Sequence, residues 1–238
     1  MRKGDMRREE LLATAERLFY TKGYEKTSVQ DILTEMNFSK GGFYHHFDSK
    51  LSVLEAICDL RAAETCERAE QALEQAQGSA VDKLNAVFSA SQILVGGQPG
   101  IVSLLLQVAY REDGVLMREK MKQRQLEGLL PVFEQIVAQG VEDQEFFAAD
   151  IPATAEMLLR MYLLFTDDIA FLLAREDSEE KLMDAIVRKL GVYRTSIERM
   201  LIAPFGSVVM LEIRDLQQLA QRILRERVRR RADAMLAK

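Results

Sequence analysis

Between Ser39 and Phe47 the chain reads S-K-G-G-F-Y-H-H-F. Four of these residues carry side chains suited to reading or gripping a polyanion. Lys40 can donate to guanine acceptors or to a phosphate, and Tyr44, His45 and His46 add an O–H and ring N–H groups. Gly41 and Gly42 carry no side chains, so backbone can approach a partner closely there. Hydrolytic or metal chemistry is a poor fit. His occurs only twice in 238 residues, here side by side, and adjacent residues on a helix point about 100° apart. No His-dependent triad can be assembled elsewhere, no phosphate-cradling glycine pattern follows a strand, and no cofactor or metal is expected.

The neighbouring residues predict the elements that would position this group. Thr27 or Ser28 caps a helix whose apolar positions Val29, Ile32, Leu33 and Met36 follow helical spacing. Asn37 ends it, because Asn enters the left-handed region cheaply. Phe38 plugs the core from the turn. Ser39 caps a second helix from Lys40 to Phe47, with Phe43 and Phe47 four apart on its inner side. Asp48 or Ser49 caps the next helix. Upstream, Leu11, Leu12, Ala15, Leu18 and Phe19 form the stripe of a first helix that stops at Gly23. Two short helices joined by a tight turn form a helix-turn-helix, which lays its second helix in the DNA major groove.

The string T-S-V-Q-D-I-L-T-E-M-N-F-S-K-G-G-F-Y-H-H-F-D-S-K-L-S-V-L, Thr27 to Leu54, resembles the DNA-binding segment of the tetracycline-repressor (TetR) family of bacterial regulators. The resemblance is close here and looser downstream. It implies phosphate contacts from Thr27, Tyr44, His46 and Lys50. Family members usually carry Gly where this chain has Asn37, and often a hydroxyl residue where it has Gly42. Sequence reading then falls to Lys40 and His45. The candidate DNA-contacting set is Thr27, Ser28, Lys40, Gly41, Gly42, Tyr44, His45, His46 and Lys50, with Gln30 on the outer face of the second helix. The plainer readings are that Tyr44 packs on the fourth helix and that both histidines are ordinary surface residues.

Charge gives a mixed signal. Net charge is −5, but residues 1–50 carry +1 and the remaining residues −6. A modest basic face on an acidic body implies a few placed contacts rather than a broad positive field. Arg2, Lys3, Arg7 and Arg8 are the basic cluster beside the motif, either an arm on DNA or a solvated terminus.

Beyond residue 50 the pattern is helical throughout, and the fold expected is all-α. It comprises a three-helix DNA-binding domain over 1–50, a helical effector-binding and dimerisation domain over 51–206, and a C-terminal amphipathic helix over 207–238. With 48 % apolar residues the chain can fill a sizeable helical core. Apolar stretches near 101–110 and 157–174 are too short, or are interrupted by Arg160, Asp167 and Asp168, to span a bilayer. The start M-R-K-G-D-M-R-R-E-E has no apolar h-region, so a cytoplasmic protein is expected. Cys58 and Cys66, about 12 Å apart along one helix, read as structural thiols.

The resemblance implies that the second domain senses a small molecule and dimerises. Two apolar helices, about 152–175 and 178–203, could pair with a second copy as a four-helix interface. Leu182, Ile186, Leu190, Tyr193 and Ile197 are the contact candidates. Asp167 and Asp168 would be a rim pair, or would face a basic ligand, Arg160 or Arg175. An effector pocket would draw on Phe88, Gln92, Tyr110, Met121, Phe133, Met161 and Phe165, all of which equally suit plain core. In the C-terminal segment, Val209, Ile213, Leu216, Ala220, Ile223 and Leu224 suggest an amphipathic helix packed on the sensor domain. Its end from Arg214 carries a net +5, which suits a membrane surface or nucleic acid. The expected function is a homodimeric repressor, not an enzyme. An unidentified small-molecule effector would release it from a palindromic double-stranded operator. The rival is an interaction module of the same fold that has lost specific DNA binding.

Overall fold

The structure is a computed structural model, and it describes residues 3–92, 102, 106, 110 and 115–236. Among the described residues there are helices and no strands. They are α1 (Lys3–Lys22), α2 (Val29–Glu35), α3 (Lys40–His46), α4 (Lys50–Gln75), α5 (Ala80–Ala90), α6 (Val115–Glu142), α7 (Ile151–Arg175), α8 (Glu179–Leu201) and α9 (Ile213–Leu236). The chain divides into two compact units, Met1–Ala63 with Gln98–Met121 and Glu64–Gly97 with Lys122–Lys238, each considered over its described residues. No helix is long and apolar enough to cross a membrane, over the described residues.

In the first unit the stripe of α1 is buried through Leu11, Leu12, Ala15 and Phe19. Ile32 and Leu33 of α2, Phe43 of α3, Phe47, and Val53, Leu54 and Ile57 of α4 are buried in the same unit. Gly23, at φ +92, ends α1 in a conformation that costs glycine little. Arg61 of α4 grips Glu16 of α1 with two nitrogens, Nε to Oε1 at 3.0 Å and Nη2 to Oε2 at 2.7 Å. Such a bidentate pair fixes geometry as well as adding attraction. Cys58 is buried, which pushes its thiol up to about 12 and leaves it protonated at neutral pH.

The second unit is built around α5, α6 and α7. Phe88, Phe133 and Tyr162 form an aromatic cluster with ring centroids 4.7–6.3 Å apart, and the Tyr162 hydroxyl donates to the Phe88 carbonyl at 3.1 Å. A buried phenol needs such a partner, and burial itself raises its pKa. α7 is capped by Asp150 and opens with Pro152, whose missing N–H costs nothing in a first turn. α8 packs along α7, and Asp168 accepts from Lys189 Nζ (2.7 Å) and the Tyr193 hydroxyl (2.9 Å). That bond and burial raise the Tyr193 pKa, burial being the larger cause. Asp167 faces Lys122 at 3.6 Å. The partners of these two aspartates are therefore not Arg160, which pairs with Glu156, nor Arg175, which lies over the Phe171 ring.

The C-terminal helix starts at Ile213, later than its apolar pattern suggests, because residues 207–211 form a strap. Val208, Met210 and Leu211 are buried. Asn85 holds the strap through both ends of its amide, donating to the Ser207 carbonyl and accepting from the Val209 amide, each at 2.8 Å. Gln92 donates to the Met210 carbonyl. α9 then packs on α8 through a face that buries Leu216, Leu219, Ala220 and Ile223. Arg227 caps the exposed end of α7, donating to the carbonyls of Glu176 (2.9 Å) and Leu173 and pairing with Asp177 at 2.8 Å. A guanidinium there suits the negative end of a helix.

Candidate nucleic-acid interface

The turn is built by local capping. Ser28 Oγ accepts from the Asp31 amide at 3.1 Å, and Asp31 Oδ2 accepts from the Ser28 amide at 2.7 Å, a reciprocal capping box at the start of α2. Lys22 lies 2.7 Å from the other Asp31 oxygen. Its ammonium, then the Ser28 donors, hold this carboxyl well below the usual carboxylate range. Asn37 takes φ +49, and the Phe38 amide returns to the Leu33 carbonyl at 2.9 Å. Ser39 Oγ then accepts from the Gly42 amide at 3.0 Å and starts α3. Ser49, not Asp48, caps α4 by accepting from the Ser52 amide at 3.1 Å.

α3 is buried on one side and open on the other. Phe43 and Phe47 point inward; Lys40, Gly41, Tyr44 and His45 are exposed; Gly42 and His46 are half-buried. Tyr44 does not sink against the core. It remains 49 % exposed, with its ring edge-on to Phe43 at 5.3 Å. The outward face thus presents an ammonium, a bare backbone, a phenol and an imidazole on one short helix. Among the described residues no group of His, Cys, Asp or Glu is arranged to hold a metal ion.

Other residues of the candidate set lie elsewhere. Thr27 is 1 % exposed, and its hydroxyl donates to the carbonyls of Gly23 (2.8 Å) and Leu18 (3.3 Å). Its side chain ties α2 to the end of α1 and is inside the unit, away from any partner. Ser28 is exposed, but its hydroxyl is occupied by the capping box. Lys50 donates to the Tyr24 carbonyl at 2.8 Å and sits 4.2 Å from the Tyr24 ring centre. Gln30 is exposed and donates to Thr34 at 3.3 Å. Of the basic cluster, Arg7 pairs with Glu10 at 3.1 Å and Arg8 lies 5.2 Å over the Phe47 ring. The backbone is helical from Lys3, not an extended arm, and Arg2 lies outside the described residues.

Among the described residues, one ring contact joins two of the effector candidates. Phe88 and Phe133 meet in the aromatic cluster, whose third member, Tyr162, sequence pattern did not single out. Phe165 instead packs edge-on against Tyr193 at 5.5 Å, Gln92 is taken up by the 207–211 strap, and Met161 is half-buried. Tyr110 and Met121 belong to the first unit. Among the dimerisation candidates, Leu182, Ile186 and Ile197 have no exposed surface within the single chain. They serve its own core and are unavailable to a partner. Leu190 and Tyr193 are half-buried. An exposed apolar row lies on α7 at Met157, Leu164 and Phe171, spaced seven residues apart and 54 %, 51 % and 41 % exposed.

Residues 11–57 match the family model described as bacterial regulatory proteins, tetR family. An HTH-type transcriptional regulator in the lacX 3′ region of Lactococcus lactis is 46 % identical over 52 residues, 22 % of this chain and 26 % of that protein. The regulator YerO of Bacillus subtilis is 42 % identical over 53 residues, only 18 % of its length. The chain therefore spans about a quarter or less of these two relatives. The repressor NemR of Escherichia coli K12 is 25 % identical over 160 residues, 66 % of this chain and 80 % of that protein. The crystal structure of a TetR-family regulator from Pectobacterium atrosepticum superposes with a TM-score of 0.62 at 19 % identity, covering 85 % of this chain and 97 % of the other. That of reduced E. coli NemR gives 0.52 at 22 %, covering 83 % and 98 %. The structural likeness is one of fold, and each of these proteins is named as a transcriptional regulator, none as an enzyme.

Proposed function

We propose that this chain, whose residues 11–57 match the tetR family model, is a DNA-binding transcriptional regulator of that type and works as a homodimeric cytoplasmic repressor released by a small molecule. The observation that carries the reading is the outward face of α3, where Lys40, Gly41, Tyr44 and His45 are exposed together on a helix anchored by Phe43 and Phe47. A helix so presented fits a major groove. Lys40 sits at its start, where side chains reach base edges. The near-neutral charge of residues 1–50 fits recognition by a few placed contacts, in place of a broad electrostatic field.

Two copies would place two such helices in successive major grooves of a palindromic site. The α7 stripe of Met157, Leu164 and Phe171 supports dimerisation, since an apolar row of this kind is stable in water when covered. The effector would act by population shift: it binds more tightly to a dimer whose recognition helices no longer match the half-site spacing. The aromatic cluster of Phe88, Phe133 and Tyr162 marks the apolar interior from which such a pocket would be built.

Lys40 gives the direct test. Lys40→Ala should weaken operator binding by about 1–3 kcal/mol and flatten base preference at one position per half-site, if the ammonium reads a base. If it grips a phosphate, affinity should fall uniformly across sequences with a shallower salt dependence. Fluorescence anisotropy over a salt series separates the two. Unchanged affinity would remove Lys40 from the interface.

A further inference from the structure

We propose that Phe38, a half-buried residue of the turn, positions the recognition helix through Gly42 and so sets which surface α3 offers. The inference rests on the DNA-binding reading and deepens it. Its starting point is a contrast between two adjacent glycines. A Cβ built on Gly41 would meet nothing within 4 Å, whereas one on Gly42 would lie 2.7 Å from Phe38 Cζ, with Cε1 and Cε2 at 3.0 and 3.1 Å. The far edge of the ring thus occupies the volume that any side chain at 42 would need. Gly42 is not a left-handed glycine; it has an ordinary helical backbone, and contact alone requires its lack of a side chain.

Moving the half-buried ring has a cost. It moves as a rigid body about two torsions, so withdrawing its tip means turning the whole side chain out of its rotamer. Its backbone is fixed by the turn, with Asn37 at φ +49 before it and its own amide bonded to the Leu33 carbonyl at 2.9 Å. The other way to relieve the clash is to lift α3. That helix has seven residues and is held inward by Phe43 and, just beyond its end, Phe47, so it moves as one piece. Lifting it would carry Lys40, Gly41, Tyr44 and His45 out of register together. Phe38 against Gly42 therefore sets how closely the helix seats on the body of the unit, and hence how its outward side chains meet a groove.

The test compares full-length wild type, Gly42→Ala, Gly41→Ala, Phe38→Leu and the two glycine variants each combined with Phe38→Leu. The wild type first selects a duplex from a randomised library, and each variant is then titrated against that duplex and profiled for base preference. Gly42→Ala should lose roughly tenfold or more in affinity, as overpacking does, and its base preference should blur. Phe38→Leu should restore both in the Gly42→Ala background. It should leave any loss caused by Gly41→Ala unchanged, because position 41 faces open space. Equal binding by Gly42→Ala and wild type would overturn the inference. So would a double variant whose thermal midpoint recovers while its affinity and base preference do not. A wild type that selects no duplex at all would overturn the DNA-binding reading itself, and this inference with it.

Discussion

Deleting residues 207–238 is expected to lower the thermal midpoint by at least about 10 °C, as followed by circular dichroism. The segment buries Val208, Met210, Leu211, Leu216, Leu219, Ala220 and Ile223. Full burial of one large apolar side chain is worth about 1.5–3 kcal/mol, and extended-chain reference states overstate such sums. Several kilocalories remain after that discount. Deletion also removes Arg227 from the carbonyl end of α7 and Gln221 from Glu179. Well below the midpoint, operator affinity and its salt dependence should be nearly unchanged, because α9 is expected to stabilise rather than to touch DNA. A sharp loss of affinity with a reduced salt slope would instead put the basic end of α9 on DNA. If the shortened chain does not fold, Leu219→Ala carries the same test, with an expected cost of about 2–5 kcal/mol.

Replacing Leu164 and Phe171 together with Glu should convert dimer to monomer in light scattering and weaken operator binding at least about a hundredfold. Each monomer would then engage one half-site without the local concentration that its partner provides. Both side chains are exposed in the single chain, so the variant should keep its helical spectrum. A pair such as Leu190 and Ile197 on α8 cannot serve, because Ile197 is fully buried within the chain and a Glu there would unfold the unit. An unchanged dimer would move the interface away from α7. A wild type that is monomeric at micromolar concentration would remove the dimer model.

These cases show which kind of information the sequence carries. The turn around Asn37 and the caps at Ser28 and Ser39 are local: each partner lies within five residues, so residue type and spacing suffice. The outward face of α3 follows from the same periodicity, with Phe43 and Phe47 turned in. Thr27 and Lys50 are harder, because their partners belong to other elements. The Lys50 ammonium meets a carbonyl 26 residues away and the Thr27 hydroxyl closes the end of α1. Arg61 and Glu16, 45 residues apart, leave no signal in a pattern.

The α8 stripe misleads for a related reason. Periodicity identifies the buried face of a helix, but not whether the chain or a second copy buries it. The most regular apolar face, through Leu182, Ile186 and Ile197, is the one that the chain's own core takes. α7 is apolar on nearly every side, so its outward row at Met157, Leu164 and Phe171 became apparent only when the inward row was filled. The aromatic cluster has the same character: Phe88 and Phe133 suit plain core by pattern and Tyr162 is not singled out, and nothing local states that α5, α6 and α7 bring the three together. Residues 207–211 look like the start of a helix by their apolar content, and become a strap because Asn85 and Gln92 satisfy their backbone groups.

The central claim is that the open face of α3 reads DNA in a symmetric pair. Footprinting of purified full-length protein on fragmented genomic DNA at physiological salt tests it most directly. The expected result is protection of a twofold-symmetric site, with half-site centres one helical turn, about 34 Å, or a multiple of it apart, and with Lys40→Ala weakening the protection. A folded, dimeric protein that enriches no sequence above background would contradict it.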